Sequence, residues 1–136
     1  MKIHSIPGKL DVSWLEDVKA ILDKWYSYSV SLAEFREATL EKGLVHSKQN
    51  NGRAYIVDSS EATGVFTREI QDFIGTDIFP AYAAGGIQYF ITISSEKSTL
   101  TDMNVKTYSK KVGPAGIILV EVNSLNEAVD FLKNNP

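Results

Sequence analysis

Three short runs constrain this chain more than anything else in it. Arg53–Asp58, Ile87–Ile93 and Ala115–Val122 are apolar at nearly successive positions and rich in β-branched and aromatic residues. Breaks at Asn50-Asn51-Gly52, Gly85-Gly86 and Gly113-Pro114 bound them. Strict alternation of apolar and polar residues marks a strand with one wet face, whereas a near-continuous run marks a strand covered on both faces. Such strands separated by helical patterns predict an α/β domain whose mainly parallel sheet is sheathed by helices, with right-handed crossovers limiting the topology.

The helical patterns carry their own punctuation. Ser31-Leu-Ala-Glu34 is a capping box, with Val30 and Phe35 placed as a hydrophobic staple, and it predicts a helix from about Leu32 to about Ser47. Gly43 inside that helix costs about 1 kcal/mol relative to alanine, which implies a neighbour packed closely against it. Thr67 is placed to cap a second helix carrying Ile70, Phe73, Ile74 and Ile78 at helical spacing. Pro80 should kink or reset that helix, and Gly85-Gly86 should end it. Leu100 to Val112 has weaker helical character. Ser124-Leu-Asn-Glu127 is a second capping box, opening a helix with Ala128, Val129, Phe131 and Leu132.

The first thirty residues admit two readings. Ser13-Trp-Leu-Glu16 is a formal capping box, and Val18, Ile21, Leu22 and Trp25 would then form a helical stripe. The rival is a hairpin, with Lys9 to Trp14 and Val18 to Tyr26 joined by a turn at Leu15-Glu16-Asp17. Periodicity alone favours the helix. His4 falls in an N-terminus that is expected to be mobile.

Length and composition narrow the function classes. The 136 residues fit a single domain over 1–136, and 43% hydrophobic with 23% charged residues is an ordinary globular composition. The net charge is −3 and the basic residues are interspersed, the densest stretch being Lys106 to Lys111 with three lysines. No nucleic-acid partner is expected, since such surfaces cluster their positive charge. The absence of cysteine removes disulfides, thiolate nucleophiles and cysteine metal ligands. No apolar run approaches the length of a membrane span and no signal-like segment opens the chain, so a cytoplasmic location without integral membrane association is the expectation.

The order of several segments resembles a group of small bacterial single-domain proteins, the STAS-like or SpoIIAA-like group that is similar to anti-sigma-factor antagonists. The likeness rests on Ile21-Leu-Asp-Lys-Trp25 followed by Ser31-Leu-Ala-Glu-Phe35-Arg36-Glu37, on Ala54-Tyr-Ile-Val-Asp58, on Ile78-Phe79-Pro80 five residues before Gly85, and on Leu125 to Leu132. It covers most of the chain from about Val18 onward. The resemblance implies that Val18 to Tyr26 is a strand, and it is followed here over periodicity. The implied fold is a mainly parallel four- to five-stranded sheet with an N-terminal antiparallel hairpin and about four helices. One feature departs from the group. Its anti-sigma-factor antagonists carry Asp-Ser-Ser-Gly at the helix after the central strand, with a serine that a partner kinase phosphorylates. The matching place here is Phe66-Thr67-Arg68-Glu69, so only Thr67 could stand in and the phospho-serine switch is not expected. Asp58-Ser59-Ser60 has similar letters but lies too early.

Candidate chemistry is sparse. Asp58, Ser59 and Ser60 end a central strand, where open parallel sheets gather ligands; their ordinary role is to cap the following loop. Trp25, Tyr28 and Phe79 are expected to form a hydrophobic patch beside an Asp58 tip open to water, with core packing as the alternative. His46, late in a helix, is expected to be structural. No catalytic set, zinc spacing, phosphate loop or cofactor fingerprint appears, so no catalytic residue, metal or cofactor is assigned. The reading that follows is a non-catalytic STAS-like regulatory or binding domain recognising a protein partner or small ligand, with a homodimer as one form. The alternatives are a small apolar-ligand or lipid carrier of the CRAL-TRIO kind, and an enzyme using Asp58 with Tyr28 or Lys24.

Overall fold

A computed structural model describes residues 1–93 and 109–135. Seven strands among them form one mixed sheet in the order β1-β2-β3-β4-β5-β7-β6. They are β1 (Lys2–Ile6), β2 (Leu10–Leu15), β3 (Ala20–Trp25), β4 (Ala54–Asp58), β5 (Tyr89–Ile93), β6 (Ser109–Val112) and β7 (Ile118–Val122). β3, β4, β5 and β7 run parallel; β1 and β2 extend the sheet antiparallel at one edge and β6 at the other. The α/β class, the parallel centre and the N-terminal hairpin of residues 9–26 agree with the sequence reading, and the sheet is wider than expected.

Three helices cover it. α1 spans residues 32–49, α2 residues 68–84 and α3 Leu125–Lys133. Both arms of the first capping box form: Ser31 Oγ accepts from the Glu34 amide at 3.1 Å, and Glu34 Oε1 accepts from the Ser31 amide at 2.9 Å. Thr67 Oγ1 accepts from the Ile70 amide at 3.2 Å and opens α2 as expected. At α3, Ser124 Oγ accepts from the Glu127 amide at 3.2 Å, but the Glu127 carboxylate reaches Asn123 rather than Ser124, at 2.8 Å. The C-terminal end of α3 is closed by Arg53, whose guanidinium donates to the carbonyls of Leu132 (2.5 Å) and Asn135 (2.6 Å).

Two helices contain wide π turns. In α2 they cover Ile74–Ile78, immediately before the Phe79–Ala84 turns that hold Pro80. Proline lacks an amide and its ring excludes an ordinary bond to the carbonyl four residues back. The helix is therefore reset and not broken. In α1 they cover Glu37–Leu44, and Gly43 faces the ring of Tyr55 on β4. A Cβ built at Gly43 would stand 2.0 Å from the Tyr55 hydroxyl, which donates to the Thr39 carbonyl at 2.9 Å. That is the close neighbour implied by a glycine in mid-helix.

Two expectations are corrected, and the rival helical reading of the first thirty residues falls away. Residues 2–6 form strand β1: the turn at Pro7-Gly8, with Gly8 at φ +73°, returns the chain so that Ile6 pairs with Leu10 and His4 with Val12. Ser13 to Glu16 is no helix cap; Glu16 lies in the β2–β3 turn and accepts from Trp14 Nε1 at 2.8 Å and from Lys19. Of the weak helix expected over Leu100 to Val112, residues 100–108 lie outside the described residues, and Ser109–Val112 is strand, paired antiparallel to β7.

The sheet's two faces build two cores. Under α1 and α2 lie Leu10, Val12, Trp14, Ile21, Trp25 and Tyr55, meeting Phe35, Ile70, Ile78 and Tyr82. Under α3 lie Ala20, Ala54, Ile56, Ile91, Ile93, Val120 and Val122, meeting Ala128, Phe131 and Leu132. Strand parity decides membership, since successive side chains point to opposite faces. His46 on α1 packs edge-on to Trp14, with ring centroids 5.2 Å apart. No helix among the described residues is long and apolar enough to cross a membrane.

Candidate functional site

Parity on β3 has one consequence that the residue type resists. Ile21 and Trp25 both face the core under α1 and α2, so Asp23 between them faces it too. Its backbone neighbours across the sheet are Val12 on β2 and Val57 on β4. Asp23 is 2% exposed, and its Oδ1 has no hydrogen-bond partner. No cation pairs with it among the described residues. Burial alone pushes its carboxyl up from 3.8 to about 8, so at neutral pH it is mostly the uncharged acid. The titratable groups that act on it are the phenols of Tyr55 on β4 and Tyr82 on α2, stacked with centroids 4.2 Å apart. Burial holds both phenols well above their ordinary value, so both stay neutral.

The carboxyl borders a cavity of about 60 Å³ between the sheet and the two helices. Its other walls are the rings of Trp25, Phe35, Phe66, Tyr82 and Phe90, the aliphatic chains of Val57, Ile74 and Ile78, and Thr39. The Thr39 hydroxyl is already committed, donating to the Phe35 carbonyl at 2.8 Å. Phe66 is half-buried and belongs to neither sheet nor helix. Its loop is tied to the end of β3 by backbone bonds from Tyr28 to Thr63 (3.0 Å) and from Thr63 to Tyr26 (3.2 Å). That brings Phe66 within 5.0 Å of Trp25, 4.3 Å of Tyr28 and 5.2 Å of Phe35, centroid to centroid.

The residues singled out from sequence divide between this cavity and local roles. Trp25, 2% exposed, is a cavity wall and not part of a surface patch. Tyr28 lies 5.4 Å from Trp25, and its hydroxyl donates to Ser59 Oγ at 2.5 Å. Phe79 shares the Trp25 face but packs on Phe90 at 5.1 Å, and it is 9% exposed. Asp58 is 8% exposed, and the expectation of a tip open to water is corrected. Its Oδ1 accepts from the Ser60 amide (3.0 Å) and hydroxyl (2.6 Å), a local cap that lets the chain cover it. Parity also sets Asp58 with Ile56 on the face under α3, away from Trp25 and Phe79. Thr67 is exposed and serves as a helix cap. Lys24 pairs with Glu61 at 2.9 Å across a largely exposed surface, which keeps its ammonium charged. No group of three metal-ligating side chains occurs among the described residues.

Asp23 was the residue missed, although it sits inside a segment prominent in the sequence. The signal was available as parity: once Val18 to Tyr26 is a strand with Trp25 inward, position 23 is inward as well. The chemistry of the arrangement is limited and specific. A largely apolar recess bordered by a carboxyl can hold a small apolar group and exchange one hydrogen bond with it. Comparison with known proteins finds no matching family model, no matching curated protein and no matching solved structure.

Proposed function

We propose that this chain is a non-catalytic binding domain, STAS-like in architecture, that receives a small ligand in the recess beside Asp23. The observation that carries the reading is the unpartnered Oδ1 of a buried carboxyl at the wall of an aromatic cavity. Buried polar groups in folded proteins are nearly always hydrogen-bonded, and the exceptions concentrate where a ligand or water completes the set. Affinity for the STAS-like group is part of the proposal; the parallel centre flanked by an N-terminal hairpin supports it.

Binding is favoured over catalysis because nothing reactive accompanies the acid. The groups that act on Asp23 are two neutral phenols, and Tyr55 is bonded to the Thr39 carbonyl. The size favours a small ligand over a lipid: pockets for drug-sized molecules enclose about 300 Å³ or more, and the recess offers about 60 Å³. The test is a fragment screen followed by two-dimensional NMR on the whole chain. Shifts confined to Val57, Ile74, Ile78 and the indole of Trp25 support the reading. A screen in which no fragment moves these signals, or in which hits map to other faces, contradicts it.

A further inference from the structure

The recess also states what kind of ligand it takes. This inference rests on the binding reading above and adds the chemistry of the occupant.

Six of the ten lining residues, Phe35, Val57, Phe66, Ile74, Ile78 and Phe90, carry no polar side-chain atom, and Thr39 has spent its hydroxyl proton on the Phe35 carbonyl. The buried polar atom in this lining that has no partner is Asp23 Oδ1. An ionised carboxylate here would stand in an apolar site with no cation beside it, which is strongly unfavourable. The group therefore persists as a neutral acid whose hydroxyl proton is available for donation. A cationic ligand would have to shed its own water and also strip the proton from Asp23. A neutral ligand gives up far less hydration and leaves the proton in place.

We propose that the recess selects a small uncharged apolar molecule, or the end of one, that presents a carbonyl or ether oxygen as acceptor to the Asp23 hydroxyl while its hydrocarbon part packs on Trp25, Phe35 and Phe66. Recognition is then by one donated hydrogen bond inside a largely apolar pocket. A buried hydrogen bond of this kind discriminates by roughly tenfold against the hydrocarbon that lacks the acceptor.

The experiment uses three probes of three heavy atoms each and nearly the same shape, matched to a recess of about 60 Å³: dimethyl ether, propane and the dimethylammonium ion. Each is titrated into the whole chain at pH 6, 7 and 9 and followed by NMR at the Trp25 indole and the Ile74 and Ile78 methyls. The expected result is that dimethyl ether binds about tenfold tighter than propane at pH 6 and loses that margin at pH 9, and that dimethylammonium binds weakest at pH 6. Asp23→Leu should bind both neutral probes equally. Asp23→Asn, which keeps a donor that does not titrate, should retain the ether preference at all three pH values. Tighter binding of the ammonium ion, rising with pH, overturns the proposal in favour of a cation site at an ionised carboxylate. Equal binding of ether and hydrocarbon by the unaltered chain overturns it too, while leaving the binding reading in place. Failure of all three probes to move any recess signal contradicts the binding reading itself.

Discussion

Replacing Asp23 by asparagine should make the protein more stable at neutral pH, although it alters a fully buried core position. The sign follows from linkage. Asp23 has a folded value of about 8 against 3.8 for the free side chain. Between those two pH values the folded state holds a proton that the unfolded state has lost. Stability therefore falls as pH rises through this window, by about 1.4 kcal/mol for each pH unit. The favourable contribution is complete below pH 3.8 and gone above about pH 8. At pH 7 the accumulated deficit is about 4 kcal/mol, a large part of the 5–15 kcal/mol typical of a domain. Asparagine has nearly the same shape and never ionises, so Asp23→Asn removes the deficit and carries instead the desolvation of an amide. A net gain of about 2 to 4 kcal/mol at pH 7 is expected. Urea unfolding of both proteins at pH 5, 6, 7, 8 and 9 reads this directly, and the comparison cancels the contribution of every other titrating group. The difference between the two proteins should grow from pH 5 to pH 8 and then level off. Two curves that stay parallel, or a variant less stable than the parent at pH 7, would refute the reasoning.

Other perturbations test the packing that frames the recess. Gly43→Ala places a methyl against the Tyr55 hydroxyl and should destabilise by about 2 to 3 kcal/mol; adding Tyr55→Phe should recover part of that loss in a double-mutant cycle. Ser31→Ala removes the side-chain acceptor of the α1 capping box and should cost about 1 kcal/mol, measured by the urea midpoint. Arg53→Met keeps the aliphatic stem but releases the carbonyls of Leu132 and Asn135, and hydrogen exchange should accelerate in the last turn of α3 while the amides of α1 keep their protection.

Much of the fold was legible wherever local chemistry and burial pointed the same way. Ser31-Glu34, Thr67 and Ser124-Glu127 mark helix starts because each satisfies amides with a side chain a few positions away, and such short-range bonds can be read off residue types. Residues 53–58, 87–93 and 115–122 announce buried strands because both faces are covered, and only their first residues fray into turns. Elements held by distant partners were not legible. Lys2–Ile6 is short, polar at several positions and half-exposed, and it is a strand because β2 lies beside it. Ser109–Val112 likewise depends on β7. The wide turns in α1 and α2 answer Tyr55 and Pro80, and π turns leave no periodic mark of their own.

The site shows the same division more sharply. Trp25 and Tyr28 do come together, but as walls and neighbours of a recess inside the core. Asp58 looked functional because it is acidic and ends a central strand, yet Ser60 satisfies it. Asp23 looked incidental because Leu22 and Lys24 flank it in an apparently amphipathic stretch, yet it is the carboxyl left without a partner. Residue type ranked the two aspartates one way and the arrangement of hydrogen bonds ranked them the other. A buried group that lowers stability without an internal partner is the pattern expected where function opposes folding.

The protonation of Asp23 can be observed without any variant. Carbon-13 labelling of aspartate and a pH titration of its side-chain carboxyl resonance give the midpoint directly. A signal that stays in the protonated form through pH 6 and titrates near 8 agrees with the buried, unpartnered setting of Asp23. A midpoint near 4 would mean that water or a cation reaches the carboxyl, and the recess would then not be a neutral-donor site.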